Sequence, residues 1–202
     1  MPLNAPMPDP PPLLARTLDE WHAQRGDLWI FGYASLIWRP DFAFAERRRA
    51  SVHGWHRALK MYSRVNRGTP ELPGLVFALF SGGSCQGMVF RVARSQAPEV
   101  LGQLWQREMP LSVYTPRWLA CKTSAGAVNA LAFTLSRAHP SFTGELAAHE
   151  YQRIFAHARG KYGSTRDYAE ATHAELLRLG IRDRALARLV RLAADQHADR
   201  HG

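Results

Sequence analysis

The chain has 202 residues, 46% of them hydrophobic and 21% charged, which suits one soluble domain with a sizeable core. It contains no apolar run near the roughly 18 residues of a membrane helix and has no secretory signal, so we expect a cytoplasmic protein without stable membrane association. The net charge of +9 fits a nucleic-acid or membrane partner, an anionic small substrate, or the arginine bias of a GC-rich genome.

The N-terminal part of the chain is expected to hold one short helix and the first strand. The prolines of residues 1–16 predict an extended, poorly ordered segment, and residues 17–202 are expected to form a single domain. Thr17 and Glu20 have the spacing of a capping box, which predicts a helix over residues 18–25. The apolar residues 28–33 predict a buried strand.

The middle of the chain is dominated by predicted strands. Residues 51–63 alternate like a strand, with Gly54 as a bulge. Further strands are predicted over residues 75–80, 86–92 and 128–135. The sequence SGGS at residues 81–84 predicts a hairpin turn between two of them.

Helices dominate the remainder. They are predicted over residues 95–109, 144–160 and 164–180, with N-caps at Ser95 and Ser164 and stops at Gly160 and Gly180. The arginine-rich end has helical spacing, which favours a packed amphipathic helix over a nucleic-acid-binding face. Its apolar positions are Leu176, Leu179, Ile181, Leu186, Leu189 and Val190. This order of elements predicts an α+β fold, in which the strands form a small mixed barrel or curved sheet with surrounding helices.

Cysteine and histidine patterns give no indication of a metal. Cys85 and Cys121 lie outside any CxxC or Cys/His pattern, and we expect reduced, partly buried thiols. The 9 histidines show no HExxH or comparable ligand spacing, so we predict no metal site.

Three polar stretches are candidates for a functional site. The apolar run of residues 28–42 breaks at Gly-Tyr-Ala-Ser, where exposed backbone N–H groups can cradle an anion or a polarised carbonyl. Residues 63–74 carry Arg64 and Arg67 between two predicted strands. Glu108 follows an apolar helix, where burial would make it a general base. Taken singly, the three also fit a plain turn, a solvated loop and a surface glutamate.

Together the stretches resemble a known family. The segments FGYASLIW, GWHRALKMYSRVNRGTPELPGLVFAL, GGSCQGMVFRV and LWQREMPLSVYTPRWL are similar, in order and spacing, to the ChaC-like γ-glutamylcyclotransferases. The resemblance covers residues 28–180. It implies a small barrel with outer helices, no cofactor, and release of 5-oxoproline from glutathione or related γ-glutamyl compounds. The glutathione-specific branch is favoured by the pattern at residues 63–74.

The resemblance also implies the site residues. The glutamyl-binding loop corresponds to Gly32, Tyr33, Ala34, Ser35, Leu36 and Ile37. The catalytic glutamate corresponds to Glu108, and Tyr168 matches a tyrosine that lines the site. Arg64 or Arg67 is a candidate for holding a substrate carboxylate.

One departure and two alternatives accompany this assignment. The family's middle glycine is Ala34 here, which matters only if that position has a positive φ. A non-catalytic regulator associated with cation transport and a cyclotransferase for other γ-glutamyl amines are the alternatives. Nucleic-acid binding lacks a recognition motif, so we expect a small-molecule substrate; the sequence leaves the oligomeric state open.

Overall fold

A computed structural model describes residues 11–110 and 112–198, with the backbone alone for residues 195–198. The helices are Pro12–Ala23 (α1), Ser35–Trp38 (α2), Ala97–Glu108 (α3), Ala148–His157 (α4), Thr165–Arg178 (α5) and Arg184–Ala198 (α6). The strands are Leu28–Gly32 (β1), Glu46–Ser63 (β2), Gly74–Val92 (β3), Thr115–Thr123 (β4), Gly126–Thr134 (β5), Arg159–Gly160 (β6) and Gly163–Ser164 (β7). None of the described helices is long and apolar enough to cross a bilayer.

Strands β1 to β5 close into a barrel in the order β1-β3-β2-β4-β5. The barrel closes where Ile30 of β1 pairs in parallel with Leu131 of β5. The neighbouring pairings β1–β3, β2–β3, β2–β4 and β4–β5 are antiparallel. The predicted α+β barrel with surrounding helices is therefore confirmed.

The two faces of β1 are buried against different partners. Leu28 and Ile30 belong to a core cluster that contains residues of α1 and α3. Phe31 belongs to a second cluster, which contains residues of α4, α5 and α6. Because successive side chains of a strand point to opposite faces, a continuous apolar run is what a strand covered on both sides requires.

The longest strands, β2 and β3, pair along their whole length. The predicted bulge at Gly54 is confirmed by its φ of 79° and by a register shift between His53 and Trp55. The predicted hairpin at residues 81–84 is wrong, because β3 runs through these residues while still paired with β2. Gly82 and Gly83 have positive φ there, which bends the strand without reversing it.

Two predictions for the N-terminal segment, its poor order up to residue 16 and the helix cap at Thr17, are wrong where the structure describes this segment. Residues 12–16 are helical, so the poorly ordered segment does not extend to residue 16, and residues 1–10 lie outside the described part. Thr17 does not cap a helix: it lies within α1, where its hydroxyl donates to Leu13 O at 2.8 Å. The helix begins after Pro11, with Pro12 in its first turn, a position that needs no N–H donor.

Helices α3 and α5 follow the predictions closely, whereas α4 covers only Ala148–His157 of the predicted range 144–160, and Gly160 lies in β6 instead of ending the helix. Ser164 caps α5, since its side chain accepts a hydrogen bond from Asp167 N, and Gly180 beyond that helix has a φ of 69°. Helix α3 starts one residue later than predicted, after Gln96, without a side-chain cap from Ser95. The C-terminal helix α6 packs with Leu186 and Ala193 buried, which confirms a packed amphipathic helix over the arginine-rich end. Of the predicted apolar positions, Leu176 belongs to α5, and Leu179 and Ile181 lie between the two helices.

Candidate active site

The end of β1 opens into a cavity of about 710 Å³. Its walls come from the segment after β1, the loop between β2 and β3, the end of α3, the β6–β7 hairpin and α5. The predicted site residues on its walls are Tyr33, Ala34, Ser35, Leu36, Arg64, Glu108 and Tyr168. All three polar stretches that were singled out in the sequence therefore meet in one cavity.

Two predicted substrate-binding residues do not line this cavity. Ile37 is only 1% exposed and lies in the core, because the side chain points away from the cavity once the short helix α2 has started. Gly32 ends β1, where an added Cβ would lie 3.0 Å from Phe90 Cε2 and 3.1 Å from Leu36 Cβ. A larger residue at this position would crowd the packing behind the loop.

The small residues after β1 let the chain turn from a buried strand into α2. Ala34 has a φ of −142°, so the position that holds glycine in the family pattern does not need a positive φ in this chain. The carbonyl of Tyr33 accepts a hydrogen bond from Arg57 Nη1 at 2.6 Å. This break in the apolar run forms one wall of the cavity.

Glu108 is the last residue of α3 and faces the cavity. Its side chain is 17% exposed, so it is not the exposed surface glutamate that the sequence left as an alternative. Burial raises the pKa of Glu108, and the adjacent guanidinium of Arg107, with Nε 3.1 Å from Oε1, opposes the rise. A carboxylate with a raised pKa can both accept and return a proton near neutral pH.

Three tyrosines lie within electrostatic reach of the carboxylate: Tyr33 and Tyr168 are buried and Tyr114 is partly buried. The Tyr33 hydroxyl donates to Phe133 O at 2.9 Å, and the Tyr114 hydroxyl donates to Phe77 O at 3.3 Å. Burial raises the pKa of Tyr33, Tyr114 and Tyr168, and the nearby Glu108 adds to the rise in each. All three phenols are therefore neutral at physiological pH and can act as hydrogen-bond donors.

The sequence did not single out Arg107 or Tyr114 as site residues. Arg107 joins α3 to the segment that follows α2: its Nη1 donates to Arg39 O at 2.6 Å and to Asp41 Oδ2 at 3.0 Å. Its Nη2 donates to Ser35 Oγ at 3.2 Å. The contacts of Tyr114 with Phe77 and Phe133 depend on the barrel.

Three cations line the wall that the β2–β3 loop and the β6–β7 hairpin form. Arg64 lies over the Tyr62 ring at 5.3 Å and Arg67 over the Tyr168 ring at 4.8 Å. The third cation, Lys161, is on the β6–β7 hairpin. Among the described residues, no carboxylate forms a salt bridge with any of the three, whereas Arg107 pairs with Glu108 and Asp41.

Backbone hydrogen bonds hold this wall in place. Lys161 N donates to Val65 O at 2.8 Å, and Tyr162 N donates to Asn66 O at 2.9 Å. A Cβ at Gly160 would lie 2.5 Å from Val65 O, so the hairpin approaches the loop as closely as a glycine allows. The loop is therefore a fixed part of the wall, which differs from the solvated loop kept as an alternative.

The cysteines lie apart from the cavity and are more deeply buried than the partly buried thiols that the sequence predicted. Cys85 and Cys121 are free and buried, and burial raises the pKa of both thiols, that of Cys121 to about 12. Across the described ranges, no group of three or more His, Cys, Asp or Glu side chains is arranged to hold a metal ion. The cavity is lined by two carboxylates, those of Asp41 and Glu108, together with several phenols and cations, a set suited to proton transfer and anion binding.

A cavity at the end of a barrel strand with these side chains is typical of a protein that binds a small polar molecule. Comparison of the sequence with family models identifies the family. Residues 28–196 match the model for the ChaC-like proteins. The chain belongs to the ChaC-like protein family.

Relatives and solved structures agree with this membership. The glutathione-specific gamma-glutamylcyclotransferase of Escherichia coli K12 is 35% identical over 80% of this chain and 70% of its own length. Glutathione-specific gamma-glutamylcyclotransferase 1 of mouse is 29% identical over 82% of this chain and 78% of its own. The yeast gamma-glutamylcyclotransferase specific to glutathione superposes with a TM-score of 0.76 at 20% identity, covering 84% of this chain and 96% of that one, which shows a shared fold.

Proposed function

We propose that the protein is a glutathione-specific γ-glutamylcyclotransferase that releases 5-oxoproline and Cys-Gly. The observation that carries this proposal is the partly buried Glu108, whose pKa is raised, in the same cavity as the loop after β1. The bacterial and mouse relatives carry the same activity in their names.

The reaction closes a five-membered lactam within one glutamyl unit. The α-amine nitrogen attacks the γ-carbonyl carbon, a new C–N bond forms, and the bond from that carbon to the cysteine nitrogen breaks. The α-ammonium loses two protons in all, and the departing nitrogen gains two. The reaction therefore needs one group that moves protons, one that holds the chain folded on itself, and one that stabilises the oxyanion.

Glu108 is the proton carrier in this proposal. As the carboxylate it accepts a proton from the attacking amine, and as the acid it gives a proton to the departing nitrogen. Burial keeps its pKa closer to neutrality than that of a surface glutamate, which assists both transfers. The neutral phenols of Tyr114 and Tyr168 line the same space.

The loop after β1 supplies the positioning. Tyr33, Ala34, Ser35 and Leu36 face the cavity at the start of α2, where backbone N–H groups are available to an anionic group. A well-placed donor to the oxyanion contributes about 3 to 4 kcal/mol to transition-state stabilisation. Gly32 and Ile37 support the loop from behind.

The cationic wall suits the departing half of glutathione. The Cys-Gly part ends in a carboxylate, and Arg64 and Lys161 are cations of the cavity wall without a described carboxylate partner. A charge-assisted hydrogen bond to either cation would distinguish glutathione from a γ-glutamyl amine without a carboxylate. The position of this wall favours the glutathione-specific branch.

The test is product formation from two substrates. Purified protein is incubated with reduced glutathione and, separately, with a γ-glutamyl amino acid, and 5-oxoproline is measured by mass spectrometry. We expect product from glutathione. Product from the γ-glutamyl amino acid alone would replace glutathione by another γ-glutamyl substrate, and no product from either would contradict the proposal.

A further inference from the structure

A buried arginine outside the cavity wall contacts the backbone of the loop after β1. Arg57 lies in β2 with a side chain that is 3% exposed. Its Nη1 donates to Tyr33 O at 2.6 Å and to Gln86 O at 3.1 Å. The same guanidinium donates to Asp183 Oδ2, from Nε at 3.1 Å and from Nη2 at 2.5 Å.

Asp183 joins this arginine to the C-terminal helix. Its other oxygen, Oδ1, accepts a hydrogen bond from Leu186 N at 2.9 Å, and its carbonyl accepts one from Ala187 N at 2.9 Å. One carboxylate therefore caps α6 and fixes the orientation of the guanidinium. With Nε and Nη2 engaged by Asp183, the planar guanidinium directs Nη1 at the Tyr33 carbonyl.

The Tyr33 carbonyl determines the direction of the next N–H group. In a trans peptide the C=O and the N–H point to opposite sides, and the described chain has no cis peptide bond. Because the Tyr33 carbonyl points at Arg57, the Ala34 N–H points away from it. Ala34 lines the cavity, and no group in the described ranges accepts a hydrogen bond from its N–H.

We propose that Arg57 is a positioning residue, held by Asp183, that fixes the Tyr33–Ala34 peptide so that the Ala34 N–H is presented to an anionic group of the substrate. The proposal rests on the proposed function for the identity of that substrate. Arg57 itself touches no substrate, since its donors are engaged by Tyr33, Gln86 and Asp183. Because Asp183 caps α6 and holds Arg57, this helix also contributes to the geometry of the cavity.

The experiment compares three variants with the wild type in steady-state kinetics on glutathione, well below the melting temperature of each. Arg57→Met keeps the aliphatic stem but removes every donor, and we expect kcat/KM to fall about 100-fold, as a misplaced catalytic element does. Arg57→Lys restores one donor, so we expect its kcat/KM to be about tenfold higher than that of Arg57→Met. Asp183→Asn keeps a helix cap but weakens the hold on Arg57, and we expect about a tenfold loss.

Arg182→Met is the matched control, because it removes one positive charge from an exposed side chain beside Asp183. We expect wild-type kcat/KM from this control. A purely structural role for Arg57 would lower the melting temperature without the graded kinetic order of Met, Lys and wild type. Partial recovery of kcat/KM in Arg57→Lys therefore distinguishes the positioning role from a purely structural one.

A folded Arg57→Met variant with wild-type kcat/KM would overturn the positioning role. If Arg57→Met does not fold, wild-type kcat/KM in both Arg57→Lys and Asp183→Asn would overturn it instead. The two proposals fail separately: a wild type that makes no 5-oxoproline contradicts the proposed function, whereas an active wild type with equally active variants contradicts the positioning role alone.

Discussion

Arg107 Nε lies 3.1 Å from Glu108 Oε1 at the end of α3, so two consecutive residues of this helix form an ion pair. The contact opposes the effect of burial, which by itself raises the pKa of the carboxyl. Arg107 also contacts Asp41 and Ser35, so its charge is shared between the carboxylate and the segment around α2. One arginine therefore contacts both the carboxylate and the segment around α2, which also lines the cavity.

Replacement of the carboxylate should abolish turnover while the fold is kept. Glu108→Gln removes the group that accepts and returns protons, and general acid–base catalysis of this kind contributes about 10²- to 10⁴-fold. We expect 5-oxoproline release to fall by that factor with an unchanged circular dichroism spectrum. Glu99→Gln, an exposed position in the first turn of the same helix, is the control and should keep full activity. Full activity in Glu108→Gln would reject Glu108 as the base.

The pH dependence should report the raised pKa of Glu108. Activity requires the carboxylate, so it falls as the pH decreases through this pKa, at a higher pH than for a solvent-exposed glutamate. Arg107→Gln removes the charge that lowers the pKa, and we expect the acid limb of kcat against pH to move upward. An acid limb that stays in place, or moves downward, would show that Arg107 does not act on Glu108.

Ala34→Gly should leave the enzyme nearly unchanged. The φ of −142° is one that alanine adopts, so glycine relieves no left-handed strain. Added freedom in the unfolded chain should lower the free energy of unfolding by about 0.5 to 1 kcal/mol. Steady-state kinetics and urea unfolding measure the two effects. A gain or loss of activity of tenfold or more would mean that the loop has another geometry when substrate is bound.

The cationic wall predicts a dependence on the substrate's carboxylate. Arg64→Gln and Lys161→Gln should each raise KM for glutathione several-fold, because a charge-assisted hydrogen bond is lost. The same variants should change KM for the glycinamide analogue of glutathione much less, since that substrate has no terminal carboxylate. Equal changes for both substrates would assign these cations to another role. Lys122, on β4 and away from the cavity wall, supplies the control variant Lys122→Gln.

The Tyr33 hydroxyl should contribute to stability. It donates to Phe133 O at 2.9 Å in a buried setting, and Tyr33→Phe leaves that carbonyl without this donor. A loss of about 1 to 3 kcal/mol in the free energy of unfolding is expected from urea titration. Tyr162→Phe, at a side chain that is largely exposed, should change it little. Equal stability of wild type and Tyr33→Phe would contradict the hydrogen bond.

Sequence patterns predicted those features that depend on neighbouring residues. The capping of α5 by Ser164 and the bulge at Gly54 follow from local chemistry, and both are confirmed. The glycines at 82 and 83 misled the prediction, because a positive φ serves a bend within a strand as well as a turn between strands. Only the pairing of both halves of β3 with β2 distinguishes the two.

The same distinction between local patterns and long-range contacts applies to the site residues. Tyr33 and Glu108 were predicted as site residues, whereas the roles of Tyr114 and Arg107 depend on contacts far along the chain, with Phe77 for Tyr114 and with Asp41 and Ser35 for Arg107. Strand β4 was also missed, and its partners lie on β2 and β5. Arg57 was seen as one position of an alternating strand, and its partner Asp183 lies 126 residues further along the chain. Contacts of this range are set by the closed barrel.

The seam between β1 and β5 has a consequence for the order of folding. Ile30 pairs with Leu131 there. Just beyond the end of β1, the Tyr33 hydroxyl donates a hydrogen bond to Phe133 O, 100 residues away in sequence. Contacts of such long range form late, because a large loop must close before they are gained. The cavity shares this seam, so catalytic competence should return in refolding with the slowest phase, after the long β2–β3 hairpin has formed. Regain of activity is thus a direct reporter of barrel closure in this chain.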